Sequence, residues 1–259
     1  MIEQQTPDRR FQTGNVITIS LAHLSHDVFS SFLAPLLPLL ITRFGLSLSA
    51  VALLDVTRKI PHLFNPVFGL VADRICVKYV VILAPAVTAI AMSLLGLAPS
   101  FPVLAVLLLI AGFSAAAFHV PGPVLIKRYS GSNSARGMSF YMFGGELART
   151  LGPLLITAAV SWWGLSGSFR VLPLGLVASV LMFFKLRHLQ PQADRPPVRS
   201  LFARGGNWRP HLPLFIGLTG FLVFRMGLKL ALTLYLPTYL AGQGKTLWAA
   251  GAALSLLQF

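Results

Sequence analysis

The sequence predicts an all-α membrane protein: a six-helix bundle followed by the start of a second bundle. Three observations predict it. Seven long apolar stretches cover 15–41, 49–72, 80–97, 102–125, 138–160, 171–186 and 212–240. A bilayer core of roughly 30 Å needs about 20 mostly apolar residues as a helix, and most of these stretches have that length. Positive charge falls in alternate gaps, and one segment repeats after a fixed interval.

The gaps set the topology. Arg9 and Arg10 precede the first span. The second gap holds Arg74 and Lys78, and the fourth holds Lys127, Arg128 and Arg136. The sixth holds Lys185, Arg187, Arg195, Arg199, Arg204 and Arg209. The odd gaps hold only Arg43, Arg170 and Lys245. Positive residues stay on the cytoplasmic side, so the N-terminus is predicted inside. Trp162 and Trp163 close the fifth span, where an aromatic belt is expected.

The organisation follows. Residues 1–14 are a polar cytoplasmic tail. Residues 15–186 form the six-helix unit. Residues 187–211, with "QPQADRPPVRS", form a cytoplasmic linker that proline keeps from regular helix. Residues 212–259 open a second unit. The first span carries His23, His26 and Asp27 and is too long for a signal core, so it reads as a retained helix.

A shift of 199 residues places Leu37-Pro38 on Leu236-Pro237 and Gly45 on Gly244. The same shift places Ser47-Leu48 on Thr246-Leu247 and Ala50 on Ala249, without a gap. Parallel repeats of six helices occur in transporters whose site lies between the halves. The second copy stops 14 residues after Lys245. Three readings follow: a fragment, a truncated product, or a second half supplied as a partner chain.

Composition removes several function classes. The net charge of +14 belongs to the loops, and 55% hydrophobic content leaves little soluble surface for nucleic acid. The loops are expected against anionic lipid headgroups. A single cysteine, Cys76, excludes an intrachain disulfide and a cysteine metal cluster. There is no H-E-x-x-H, no Gly-x-Ser-x-Gly and no Walker motif, so neither an intramembrane enzyme nor an ATP-driven pump is expected.

Ionisable residues inside the spans carry the chemistry. They are His23, His26 and Asp27 in the first and Asp55, Arg58, Lys59 and His62 in the second. His119 lies in the fourth, Glu146 and Arg149 in the fifth, and Arg225 and Lys229 in the seventh. Each is costly in lipid and should face the bundle interior or a wet cavity. Spans three and six carry none and are expected to face lipid. Glu146–Arg149 and Asp55–Lys59 read equally as pairs that only neutralise each other. His23, His26 and His119 read equally as donors to backbone carbonyls. Asp27 has few partners on its own helix. It is the first candidate for proton coupling, with Arg149 or Arg225 as a movable partner, and Glu146 with His119 is the second.

The second gap reads Gly69-Leu-Val-Ala-Asp73-Arg74-Ile-Cys76-Val77-Lys78. It resembles the loop signature of the major facilitator superfamily, with Cys76 and Val77 in place of a glycine and a basic residue. "AHLSHDVFSSFLAPLLPLL", "AAFHVPGP" and "RGMSFYMFGGELARTLGPLL" resemble the first, fourth and fifth helices of its fosmidomycin-resistance branch. Gly144-Gly145 and Gly152-Pro153 resemble the glycine-proline motif of its proton-coupled antiporters. The resemblance implies a two-bundle transporter in the cell inner membrane, working by alternating access as a drug/proton antiporter. It needs no cofactor, the proton gradient being the energy source. It also implies that Gly69, Asp73, Arg74 and Lys78 form a cytoplasmic gate.

The acids in the spans number three and the Lys and Arg residues five. That surplus favours a small anionic or zwitterionic solute, held by Arg149 and Arg225 with His23 beside them. The alternative is a truncated, inactive or scaffolding remnant of such a transporter.

Overall fold

A computed structural model describes residues 10–72, 77–188 and 209–258. Every regular element among them is helical. The first passage is α1 (Thr13–Ser30) and α2 (Leu33–Phe44); the second is α3 (Leu48–Lys59), a 3₁₀ turn (Ile60–Phe64) and α4 (Asn65–Ala72). The third is α5 (Val77–Ser93), and the fourth is α6 (Phe101–His119) with α7 (Pro121–Tyr129). The fifth is α8 (Ser134–Trp163) and the sixth α9 (Leu172–Leu186). Then come α10 (Leu212–Gly242) and the short α11 (Leu247–Gln258).

Five of the passages are long and apolar enough to cross a bilayer by composition alone. The second and fifth fall outside that set. They carry Asp55, Arg58 and Lys59, and Glu146 and Arg149, so their polarity marks helices that line an interior rather than lipid.

Proline explains most of the breaks. Pro35 lacks an amide hydrogen, so the Ser31 carbonyl has no donor four residues on. The chain answers with a tighter step, Phe32 N–H to the Phe29 carbonyl at 3.1 Å. Pro61 opens the 3₁₀ turn of the second passage, and Pro121 follows the break at Val120. α10 runs without a break through Pro237, from Leu212 to Gly242.

The repeat is reproduced hydrogen bond by hydrogen bond. Gly45 and Gly244 both have positive φ, 62° and 75°. Leu46 N–H reaches the Ile41 carbonyl at 3.1 Å, and Lys245 N–H reaches Leu240 at 3.0 Å. Ser47 Oγ accepts from Ala50 N–H at 3.2 Å, and Thr246 Oγ1 accepts from Ala249 N–H at 3.2 Å. All these pairs differ by the same 199 positions. Each turn is a left-handed glycine closing one helix and a hydroxyl cap opening the next.

Glycines bring α1 and α8 together. A Cβ on Gly144 would stand 2.5 Å from the Ser20 carbonyl oxygen, and one on Gly152 2.5 Å from that of Val28. Such small-residue seams let helix backbones approach in a membrane. The motif read as antiporter-like is therefore a packing surface. At the far end of α8, Trp162 and Trp163 are exposed and the Arg170 guanidinium lies over the Trp163 ring, as an interfacial belt requires.

Two apolar clusters fill the bundle. One gathers Val28, Phe32, Leu36, Leu40 and Leu54 with Leu104 and Ile156. The other gathers Val16, Ile19, Val81, Phe118, Tyr141 and Leu186. Along α1 the gap between them is residues 23–27, where a polar layer interrupts the core. The third passage was expected to face lipid. It packs on α1, α6 and α9, and its apolar window is 61% buried, against 28% for the sixth passage.

Candidate functional site: a histidine-ringed aspartate

Asp27 lies in that layer, buried to 4% exposure. Three histidines and one arginine surround it. His26 Nδ1 is 2.9 Å from Oδ1. His119 Nε2 lies 3.3 Å from the same oxygen, and His23 Nε2 lies 3.3 Å from Oδ2. Arg149 reaches Oδ2 at 4.0 Å. Its other amino group donates to Glu146 Oε1 at 2.7 Å.

Each ring is held from behind. His23 stacks on Tyr141 at 4.0 Å, and its Nδ1 donates to the Tyr141 carbonyl at 2.7 Å. Gly145 makes room for it, because a Cβ there would stand 2.9 Å from Nε2 and closer still to Cε1. His26 stacks on Phe118 at 4.6 Å and meets Thr88 Oγ1 at 3.0 Å. Thr88 donates to Ser114 Oγ at 2.8 Å, which donates to the Ala84 carbonyl at 2.9 Å. His119 is edge-on to both other rings at 5.3 Å and is 33% exposed. His23 and His26 are sealed, while His119 is partly exposed.

The contacts at His23 differ in quality. Its Nε2 is within ion-pair distance of Asp27 yet makes no hydrogen bond of acceptable angle. The contact at His26 is a well-formed hydrogen bond. His23, Asp27 and His119 also bring ligand-type atoms within 4.8 Å of one another. The Arg149 cation stands beside this group, 4.0 Å from Asp27 Oδ2.

Several expectations change. His23, read as a substrate contact, is buried, with Nδ1 bonded to the Tyr141 carbonyl and Nε2 facing Asp27. Glu146, expected with His119, bonds Arg149 instead, and His119 faces Asp27. Arg225 stands exposed on α10 and pairs with no acid among the described residues. Asp55 is buried and holds both Arg58 at 3.0 Å and Lys59 at 2.7 Å. Of the gate, Asp73 and Arg74 lie outside the described residues. Gly69 is described, and a Cβ there would only just touch Val120 at 4.0 Å. Lys78 is buried and donates to the Arg187 carbonyl at 2.7 Å, tying the start of α5 to the end of α9.

A family model described as Major Facilitator Superfamily matches residues 19–259. The chain belongs to this superfamily. Over 160 residues it is 26% identical to the fosmidomycin resistance protein of Escherichia coli (strain K12), covering 61% of this chain and 39% of that protein. Among solved structures it resembles a bacterial homologue of the human lysosomal transporter Spinster, in an inward-facing, unoccupied conformation. The TM-score is 0.69 at 15% identity, over 96% of this chain and 60% of that one. The chain thus spans about two fifths of the curated relative and three fifths of the solved structure. It is a multi-pass membrane protein of transporter fold: a six-helix N-terminal bundle with the first helices of a C-terminal bundle.

Proposed function

We propose that the protein is a secondary active transporter in the cell inner membrane, N-terminus inside, driven by the proton gradient rather than by a cofactor or an enzymatic step. It exports a small anionic or zwitterionic solute by alternating access. The observation that carries this is the Asp27 carboxylate, buried in a polar layer between two apolar clusters and touched by two partly exposed side chains, His119 and Arg149. A buried carboxylate is tolerated only with compensating charge, so its occupancy by a proton changes what its neighbours do.

Arg149 is the neighbour that responds. It is bonded to Glu146 and only brushes Asp27. When Asp27 is charged it attracts the guanidinium; when a proton arrives, Arg149 is released to Glu146 or to an anion in the cavity. The drug-resistance relative supports an outward direction.

The test is solute flux in proteoliposomes of the purified protein under an imposed proton gradient, using small carboxylates and phosphonates as probes. Asp27→Asn is expected to abolish gradient-driven flux, and Arg149→Gln to weaken solute binding by roughly tenfold or more, as loss of a charged hydrogen bond implies. Full proton-dependent flux by Asp27→Asn would refute the coupling. A second reading is a scaffold or remnant without transport. It predicts no gradient-driven flux from the parent protein. Reporter fusions near Arg136 and Arg43 test orientation, with Arg136 inside and Arg43 outside.

A further inference from the structure

We infer that Thr88 and Ser114 lock the tautomer of His26, and that this lock forces a shared proton onto the His26–Asp27 pair. The inference rests on the proton-linked reading of Asp27 and adds residues of the third and fourth passages to it.

The argument is a count of hydrogens. The Ala84 carbonyl can only accept, so the Ser114 hydroxyl gives it its single hydrogen. Thr88, 2.8 Å from Ser114 Oγ, must therefore donate its own hydrogen there. Thr88 Oγ1 is left with lone pairs facing His26 Nε2 at 3.0 Å, so Nε2 carries the hydrogen. In a neutral imidazole the other nitrogen then carries none. Nδ1 points its lone pair at Asp27 Oδ1, 2.9 Å away. A carboxylate oxygen is also an acceptor. Two acceptors at that distance repel unless a proton lies between them. The proton sits on Asp27 as a carboxylic acid or on His26 as an imidazolium; either way the pair holds one.

Charge balance agrees. Asp27 and Glu146 against Arg149 leave one negative charge in the group when the histidines are neutral. One shared proton cancels it, which favours the buried Asp27; Glu146 and Arg149 are partly exposed. The other groups facing the pair are His23 on α1 and His119 on α6; α5 contributes only hydroxyl and apolar groups there. His23 repeats the logic. Its Nδ1–H is spent on the Tyr141 carbonyl, so a bare Nε2 faces Oδ2 at 3.3 Å without a hydrogen bond. It is an empty acceptor for a second proton. His119, partly exposed and within reach of Oδ1, is the route by which protons exchange with the cavity.

Thr88 and Ser114 are thus positioning residues: they touch no substrate and act through His26. The test is ¹⁵N NMR of the histidines in the purified protein in lipid nanodiscs at neutral pH, with His26 assigned by His26→Gln. The parent is expected to show His26 protonated at Nε2, with Nδ1 either protonated or in a strong hydrogen bond. Thr88→Val keeps the shape and removes the acceptor. His26 is then free to place its hydrogen on Nδ1 and donate to an ionised Asp27, so its signal should change to the neutral Nδ1–H form. Thr88→Ser should restore the parent spectrum. A parent His26 that is neutral and protonated at Nδ1 would overturn the lock, as would a Thr88→Val spectrum identical to the parent's. Should Thr88→Val fail to fold, Ser114→Ala is the second variant; it frees Thr88 to donate to His26, and the same change of tautomer is expected. The lock and the coupling separate cleanly. If the NMR result holds while Asp27→Asn keeps proton-driven flux, the coupling is wrong and the lock stands.

Discussion

Gly145→Ala tests whether the site is built by close packing or merely placed by topology. The added Cβ would stand 2.9 Å from His23 Nε2 and nearer to Cε1. Ordinary carbon contacts need about 3.5–4.0 Å, so the ring or the helix must move by about 1 Å. The ring is held by its stack on Tyr141 and by its bond to the Tyr141 carbonyl. Overpacking of this kind costs about 1–3 kcal/mol. Losing the His23 bond adds about 0.5–1.5 kcal/mol. Removing a helix-interior glycine returns roughly 0.5–1 kcal/mol. The net expectation is a loss of about 1–3 kcal/mol, a tenfold or greater fall in the folded-to-unfolded ratio at the middle of that range. The control is Gly217→Ala on α10, where nothing lies within 4 Å of the new Cβ and no loss is expected. The assay is unfolding of both variants in the same detergent, followed by tryptophan fluorescence. A Gly145→Ala protein as stable as the parent would refute the packing account of the α1–α8 seam.

Two more expectations follow from the turns and the helix ends. Gly45→Ala and Gly244→Ala each place a side chain at positive φ, costing about 1–2 kcal/mol. The two losses should be similar because the turns are copies, and a loss at only one of them in the same unfolding assay would break the equivalence. Lys78→Met removes the donor to the Arg187 carbonyl and should loosen the end of α9, read as faster amide exchange at its last turn. Lys78→Arg should restore protection, and unchanged exchange in Lys78→Met would remove this role.

Most of the fold was legible because lipid imposes it. Apolar length gave the passages, and the 199-residue match gave turns that agree down to single hydrogen bonds. Two kinds of feature were not legible. α10 continues through Pro237 while the chain breaks at Pro61 and Pro121, because whether a proline ends a helix depends on neighbours that can take up the freed carbonyl, and sequence does not name neighbours. The site was half legible. Charge inside the spans pointed to Asp27 and to Arg149, and the structure brings the two to 4.0 Å of each other. The partners were misjudged. Spacing along one helix sees His23 and His26 beside Asp27, but only packing shows that His119 completes the ring and that Glu146 belongs to Arg149. Thr88 was invisible for a plainer reason: a hydroxyl in an apolar span is common, and only the chain to Ser114 and Ala84 gives it a meaning.

The charge count also divides the surplus that favoured an anion: the Asp27 and Asp55 groups cancel, and Arg225 and Lys229 on α10 carry the remaining two charges. The Asp27 group is one positive charge short before its proton is added. The Asp55 group has one too many, since Arg58 and Lys59 share a single carboxylate. Lys59 is 40% exposed and Arg58 25%, against 39% for Arg149, so an anion has two places to go, the Asp55 pair or Arg149. If the Asp55 pair takes it, proton and solute occupy different residues. Simple competition for one carboxylate would not couple them; something between must respond to both. His62 and His119 stand between, their rings 6.5 Å apart, one on the Asp55 passage and the other touching Asp27. An anion that draws Lys59 off Asp55 changes the field at His62, and His119 lies next in line to Asp27. Coupling through this pair predicts that His62→Gln lowers the proton dependence of flux while leaving anion binding nearly intact. Direct competition predicts the reverse, a loss of binding at Arg149→Gln with His62→Gln unchanged.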